Sequence, residues 1–200
     1  MKNNLIIMFF PGLGGNHLAN IISISKEYKN FKVDRSQYFN PSKKSNAHYN
    51  NANSISSNIN TDNYIFLYHF GTADEDNIKK IIDTSTNYQF LVIGFPQKNQ
   101  LAFKRMERKN EVDLRKYFIR YDLERLYKQQ FLEKYYPGKW CTIFADDLFS
   151  NQNIEQFLTD LENKLEINIL DRELAISIHN RWILNLEETL LKAKSNDHPN

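Results

Sequence analysis

The stretch Leu5–Ile22, LIIMFFPGLGGNHLANII, decides the fold of this chain. It opens with the apolar run Leu5–Phe10, which is typical of a strand buried on both faces, as in a parallel sheet. A Pro-Gly turn ends that run. Asn16–Tyr28 follows with apolar residues near helical spacing, and Asn16 is of the residue type that caps the amino end of a helix. The stretch therefore predicts a strand, a glycine-rich turn and a helix.

Three more apolar runs predict strands, and they alternate with segments of helical spacing. The predicted strands are Tyr64–Phe70, Gln89–Phe95 and Trp140–Phe144. The predicted helices are Asp74–Thr84, Lys98–Lys109, Val112–Tyr136, Asn153–Leu165 and Arg172–Lys194. This alternation predicts one three-layer α/β domain over residues 1–200, with a central, mainly parallel sheet of about four or five strands. The Asn- and Ser-rich segment 39–62 is predicted to be a mobile loop, and 195–200 a frayed tail.

The composition excludes several classes of protein. The chain has 200 residues, of which 41% are hydrophobic and 25% charged, as is ordinary for one globular domain. Its formal net charge of +2 is too small for a surface that coats nucleic acid. No run approaches the roughly 18 apolar residues of a membrane span. The single cysteine, Cys141, is expected to be a buried small hydrophobe, and a reducing, cytoplasmic location is consistent with it.

The glycine-rich turn after the first strand is the strongest chemical motif. Backbone N–H groups of such a turn converge on an anion, and the dipole of the following helix adds a favourable field. The turn is therefore predicted to bind a phosphate group of a nucleotide-like ligand through Gly12, Leu13, Gly14, Gly15, Asn16 and His17. It has neither the spacing nor the lysine of a Walker A loop, and His17 stands where the GxGxxG pattern requires glycine. The alternative is a tight turn without a ligand.

Several other side chains have both a functional and a structural interpretation. Asp146 and Asp147 follow the fourth strand, where paired carboxylates hold Mg²⁺ with phosphates or cap a turn, and we expect the structural role. His17 either contacts phosphate, with its protonated form disfavoured by the helix end, or packs. His179 and Trp182 lie on one helix face, where packing is expected. No cluster in the sequence has metal-ligand spacing.

The chain resembles the sulfotransferase family, which shares the P-loop architecture, at three of these places. Pro11–Leu18 is similar to the family's phosphosulfate-binding loop, with Gly12 in place of its lysine. Tyr64–His69, with the helix and strand that follow, resembles the stretch that carries the catalytic histidine. Thr142–Phe149 and the next helix resemble a segment of strand, Asp-Leu and helix. The resemblance implies a P-loop fold and the sulfuryl donor 3′-phosphoadenosine-5′-phosphosulfate.

The same resemblance implies roles for individual residues. His69 takes the position of the catalytic base, which accepts the proton of the acceptor hydroxyl. The turn would hold the 5′-phosphosulfate, and the acceptor would be a hydroxyl of a small molecule or glycan. The arginine and serine that bind the 3′-phosphate in the family fall near Phe95 and Phe103. Lys98 and Arg105 are therefore expected to bind the cofactor and supply positive charge at the leaving phosphate.

Two alternative functions stay open at this point. A Mg²⁺-dependent phosphoryl transferase on the same fold would depend on Asp146 or Asp147. A non-catalytic, nucleotide-binding descendant of the family would account for Gly12 and Phe95 at positions where the family has lysine and arginine. Small molecules rather than nucleic acid are the expected partners, and the sequence leaves the oligomeric state open.

Overall fold

The computed structural model describes residues 4–10, 12–28, 65–69, 88–110 and 129–196. At its centre lies a four-stranded sheet in the order β2-β1-β3-β4. All neighbouring strands are parallel. The strands are β1 (Asn4–Phe9), β2 (Ile65–His69), β3 (Tyr88–Gly94) and β4 (Trp140–Phe144). Each coincides with one of the predicted apolar runs, so the α/β class and the parallel sheet are confirmed.

The described residues also form helices. They are α1 (Gly15–Ile22), α2 (Gln100–Asn110), α3 (129–135), α4 (Ala145–Leu148), α5 (Ile154–Leu165) and α6 (Arg172–Asn196). α2, α5 and α6 agree with predicted helices, α3 is the described end of another, and α4 is too short for periodicity to reveal. The predicted loop 39–62, the predicted helix 74–84 and residues 197–200 of the predicted tail lie outside the described residues.

β1 is one of the two inner strands of this sheet, with β3. All six of its residues are buried, as the uninterrupted apolar run predicts. β2 and β3 pair with its two edges. From α1, the side chains of Leu18, Ile21 and Ile22 are fully buried. Burying a side chain of this size stabilises the folded state by about 1.5–3 kcal/mol relative to leaving it exposed. The segment Leu5–Ile22 therefore contributes a large part of the core.

α1 begins and ends differently from the prediction. Its N-cap is Gly14 and not Asn16, which lies in the first turn. The backbone is left-handed at Gly14, with φ 76°, and turns into the helix there. At the other end the Ser23 hydroxyl donates to the carbonyl of Asn20 at 2.7 Å. This satisfies one of the carbonyls left over where the helix stops, well before Tyr28.

Cys141 lies in β4, at the edge of the described sheet, and is partly buried. Burial raises the pKa of its thiol to about 11. The thiol is therefore protonated at pH 7, which is the inert state of a cysteine. The expected apolar role is confirmed in part, because an edge position leaves the side chain incompletely covered.

The strand order also marks a position for a ligand. β2 lies on one side of β1 and β3 on the other, so the direction of the chain across the sheet reverses between β1 and β3. In open parallel sheets, ligands bind outside the carboxyl ends of the strands at such a reversal. The glycine turn follows β1 at this edge, and residues 95–99 follow β3.

Candidate functional site at the carboxyl edge of the sheet

The ends of β1, β2 and β3 lie side by side at the carboxyl edge of the sheet. Phe9, at the end of β1, is the register partner of His69, at the end of β2. β3 lies on the other side of β1 and ends at Gly94. The glycine turn therefore starts between the ends of β2 and β3. His69 is described by its backbone alone, and residues 70–74 lie outside the described residues.

Each glycine of the turn is held against another part of the protein. Gly12 has φ 99°, and a Cβ atom there would lie 3.0 Å from a backbone atom of α2. Gly14 has φ 76°, and a Cβ would lie 3.1 Å from the indole of Trp182. At Gly15 a Cβ would overlap the ring of Phe9. Backbone conformation and packing therefore require these glycines, whether or not a ligand binds.

The amino end of α1 has the features of an anion site. The N–H of Leu13 donates to the carbonyl of Phe10 at 3.0 Å and closes the turn that leads into the helix. Gly14 has no side chain with which to cap α1, and the first turn of this helix contains no acidic residue. The N–H groups of a first helical turn and the positive end of the dipole attract anions. This end of α1 therefore suits a phosphate or sulfate group.

Two histidines form a chain of hydrogen bonds that starts in the first turn of α1. His17 Nε2 lies 3.2 Å from His179 Nδ1, and His179 Nε2 lies 3.0 Å from the carbonyl oxygen of Ser150. Because a carbonyl only accepts, His179 donates through Nε2–H, and its Nδ1 accepts from the Nε2–H of His17. This bonding pattern assigns one tautomer to each neutral ring. The remaining nitrogen, His17 Nδ1, is buried and has no hydrogen-bond partner among the described residues.

Trp182 of α6 joins the histidines to the glycine turn. Its indole stacks on the ring of His17, with centroids 3.9 Å apart and planes 6° apart. The edge of the same indole faces Gly14. The guanidinium carbon of Arg105 lies 5.9 Å from the indole centre. We call His17, Arg105, His179 and Trp182 the histidine cluster, since they bring α1, α2 and α6 together beside the turn.

Burial sets the protonation state of the two histidines. Burial, His179 and Arg105 together hold the pKa of His17 well below its usual value. Burial also lowers the pKa of His179, and the hydrogen bond to the Ser150 carbonyl partly offsets that effect. The sequence predicted a lowered pKa for His17 from the helix end. The direction is confirmed, whereas burial is the main cause.

The loop after β3 is closed by Asp146. Its carboxylate accepts hydrogen bonds from the backbone N–H groups of Gln97 at 2.7 Å, Lys98 at 3.0 Å and Asn99 at 2.6 Å. Converging N–H groups of this kind form an anion site, and here a side chain of the protein fills it. The structural role expected of Asp146 is confirmed, although its partners lie in this loop and not in the turn before Leu148.

The two predicted cations lie in different surroundings. The Lys98 side chain is exposed, and its backbone N–H belongs to the loop bound by Asp146. Arg105 is half-buried in α2 and acts electrostatically on His17. Phe95, near the place where the family resemblance expects an arginine, packs on Phe10 with ring centroids 5.7 Å apart. Arg105, and not Lys98, therefore lies with the histidines beside the glycine turn.

Asp146→Asn is expected to lower the free energy of unfolding by about 2 kcal/mol. The asparagine amide keeps one acceptor oxygen but places an NH₂ group against N–H groups of the loop. Asp147→Asn is the matched control, because burial and the charge of Asp146 raise the pKa of Asp147, and removing its charge relieves repulsion. Urea denaturation measures both variants, and an equal loss in the two would contradict the role of Asp146.

A depression lies between the end of β4 and α5. It is an open groove of about 240 Å³ whose lining includes Asp147, Asp160 and Lys164. The Lys164 ammonium donates to the carbonyl of Thr142 at 2.9 Å, so one of its hydrogen-bond donors is used by β4. In the part of the chain that the structure describes, no group of three or more His, Cys, Asp or Glu side chains is arranged to hold a metal ion.

The face shared by His179 and Trp182 was predicted, but its contact with the turn was not. Both side chains are buried, and the packing role assigned to Trp182 is confirmed by its contacts. Helical spacing does not show what a face packs against, and the hydrogen bond from His17 to His179 spans 162 positions. The available signal was the histidine and tryptophan three residues apart on one apolar face.

Comparison with known proteins identifies no relative of this chain. The chain matches no protein-family model, no curated protein and no solved structure. Across the described ranges, no helix combines the length and the apolar character needed to cross a bilayer.

Proposed function

We propose that this chain is a transferase that binds 3′-phosphoadenosine-5′-phosphosulfate at the turn between β1 and α1 and moves the sulfuryl group to a hydroxyl acceptor. The register of β1 with β2 carries this proposal. Phe9 pairs with His69, so the candidate base stands on the strand beside the glycine turn. The resemblance of the turn and of His69 to the sulfotransferase family supports the same assignment.

The amino end of α1 fits the charge of a phosphosulfate. Gly12 replaces the lysine of related loops, so binding would rely on backbone N–H groups and on the helix dipole. A favourable charge at a helix end contributes about 0.3–1 kcal/mol, and up to about 2 kcal/mol where it is partly buried. Arg105, beside Trp182, supplies a full positive charge near the same turn.

The proposed chemistry gives each of these residues one task. When bound, the donor supplies the sulfuryl group, whose sulfur accepts the acceptor oxygen while its bond to the phosphate oxygen breaks. His69 takes the proton of the attacking hydroxyl, a task that suits an imidazole at neutral pH. The amino end of α1 and Arg105 stabilise the charge that develops on the leaving phosphate.

The test is a calorimetric titration with 3′-phosphoadenosine-5′-phosphate, the product of the donor. We expect saturable binding with a Kd of about 1 mM or below, unchanged when Mg²⁺ is chelated. Asn16→Asp places a carboxylate in the first turn of α1, where it interacts well with the dipole but repels the ligand, so binding should weaken by about tenfold.

Asn153→Asp is the matched control, since it makes the same change at the amino end of α5. It should leave the Kd unchanged. Absence of binding at millimolar ligand would remove the proposal. Binding that requires Mg²⁺ would favour a phosphoryl transferase, and tight binding without any transfer to a panel of hydroxyl acceptors would favour a non-catalytic descendant.

A further inference from the structure

On the basis of the function proposed above, we infer that an anion binding at the amino end of α1 brings about the uptake of one proton by His17. His17 is 3% exposed and belongs to the first turn of this helix. Its Nδ1 atom is buried without a hydrogen-bond partner among the described residues. Buried polar atoms are normally hydrogen-bonded, so this nitrogen is the atom of the ring that is free to take up a proton.

His179 is the positioning residue of this arrangement. Its Nε2–H is committed to the carbonyl of Ser150, so its Nδ1 can only accept. His17 therefore donates from Nε2, and Nδ1 is the one ring nitrogen in the pair that is open to a proton. A proton taken up by the pair enters at this atom.

The surroundings of His17 place its ring beside the amino end of α1. The indole of Trp182 stacks on His17 and reaches Gly14, the N-cap of α1, with its edge. The ring of His17 therefore lies beside the amino end of the helix. Among the described residues, the titratable and charged groups that act on it are His179 from α6 and Arg105 from α2.

The direction of the coupling follows from these charges. In the free protein, burial and the positive charge of Arg105 oppose a proton on His17. A bound anion attracts both cations and raises the pKa of His17, so the complex retains a proton that the free protein does not hold. Affinity should therefore rise as the pH falls through the pKa of the complex, and level off below the pKa of the free protein.

Inorganic sulfate is the probe of choice, because it does not titrate near neutral pH and any proton taken up must come to the protein. Calorimetry in two buffers of different ionisation enthalpy counts the protons. We expect the proton uptake per sulfate to rise toward one as the pH is lowered from 7 to 5.5, and the Kd to tighten by up to tenfold per pH unit over the same range. Long-range ¹H–¹⁵N spectra should show His17 as the Nε2–H tautomer before sulfate is added.

His17→Gln is the deciding variant. The glutamine amide retains a donor toward His179 but lacks Nδ1, so the pH dependence and the proton uptake should disappear. Loss of the pH dependence in His69→Gln but not in His17→Gln would overturn the inference. So would the binding of sulfate and of 3′-phosphoadenosine-5′-phosphate without proton uptake, which leaves the proposed function standing. Failure of both ligands to bind would remove both proposals.

Discussion

Gly15→Ala is expected to lower the free energy of unfolding by about 3 kcal/mol. The new methyl group would overlap the ring of Phe9, which is 3% exposed and lies in the inner strand β1. Neither α1 nor β1 can move away without opening the core that both elements bury. Intrinsic helix propensity favours alanine over glycine by about 1 kcal/mol, so a destabilised variant identifies the contact and not the backbone as the cause. Urea denaturation followed by circular dichroism measures the effect.

A double-mutant cycle separates this contact from other effects of the substitution. Phe9→Leu alone should destabilise the protein by about 1–2 kcal/mol through lost packing. In the presence of Phe9→Leu, Gly15→Ala should cost at least about 1 kcal/mol less than in the wild type, because the smaller side chain makes room for the methyl group. Additive losses would show that the Phe9 ring is not the obstacle.

The fold could be predicted because its signals are local. The apolar run of β1 identifies a strand buried on both faces without reference to any other part of the chain, and β1 is buried at every position. The alternation of strands and helices then predicts the parallel sheet. The start of α1 could not be predicted in the same way. The left-handed backbone at Gly14 begins the helix before Asn16, and residue preferences favoured Asn16.

The site could be predicted only in outline, because its contacts are long-range. The sequence singled out the glycine turn and His69, and the parallel pairing of β1 with β2 puts them at the same edge of the sheet. The packing reason for Gly14 lies in Trp182, far along the chain, and no spacing within the turn reveals it. Asp146 was expected to be structural, but its partners in the loop after β3 precede it by 47 to 49 positions.

Acidification from pH 7 to pH 5.5 is expected to destabilise the protein steeply. The folded state holds the pKa values of His17 and His179 below their usual value, whereas the unfolded chain takes up protons below a pH of about 6.5. The unfolded state therefore binds more protons in this window, and stability rises with pH until about 6.5 and levels off above it. Two histidines contribute up to about 2.7 kcal/mol per pH unit, which urea denaturation at several pH values measures.

The His17→Gln variant tests which groups cause this slope. The variant removes one titrating ring, so the free energy of unfolding that is lost per pH unit should fall by about half. The free energy of unfolding near pH 7.5, where neither ring is protonated in the folded or the unfolded state, should change less. Aspartate and glutamate titrate near pH 4, so measurements above pH 5.5 exclude most of their contribution. An unchanged slope in the variant would show that His17 is not responsible.

Sulfate should flatten the same pH profile if His17 faces the anion site. A bound anion raises the pKa of His17 in the folded protein toward that of the unfolded chain, so the difference in bound protons shrinks. Sulfate also stabilises folded proteins in general by being excluded from their surface, and that effect does not depend on one imidazole. The added stability should therefore grow as the pH falls from 7 to 5.5 in the wild type and stay constant in His17→Gln. If sulfate stabilised both proteins by an amount that does not change with pH, the acid sensitivity of the histidine cluster would be unrelated to anion binding.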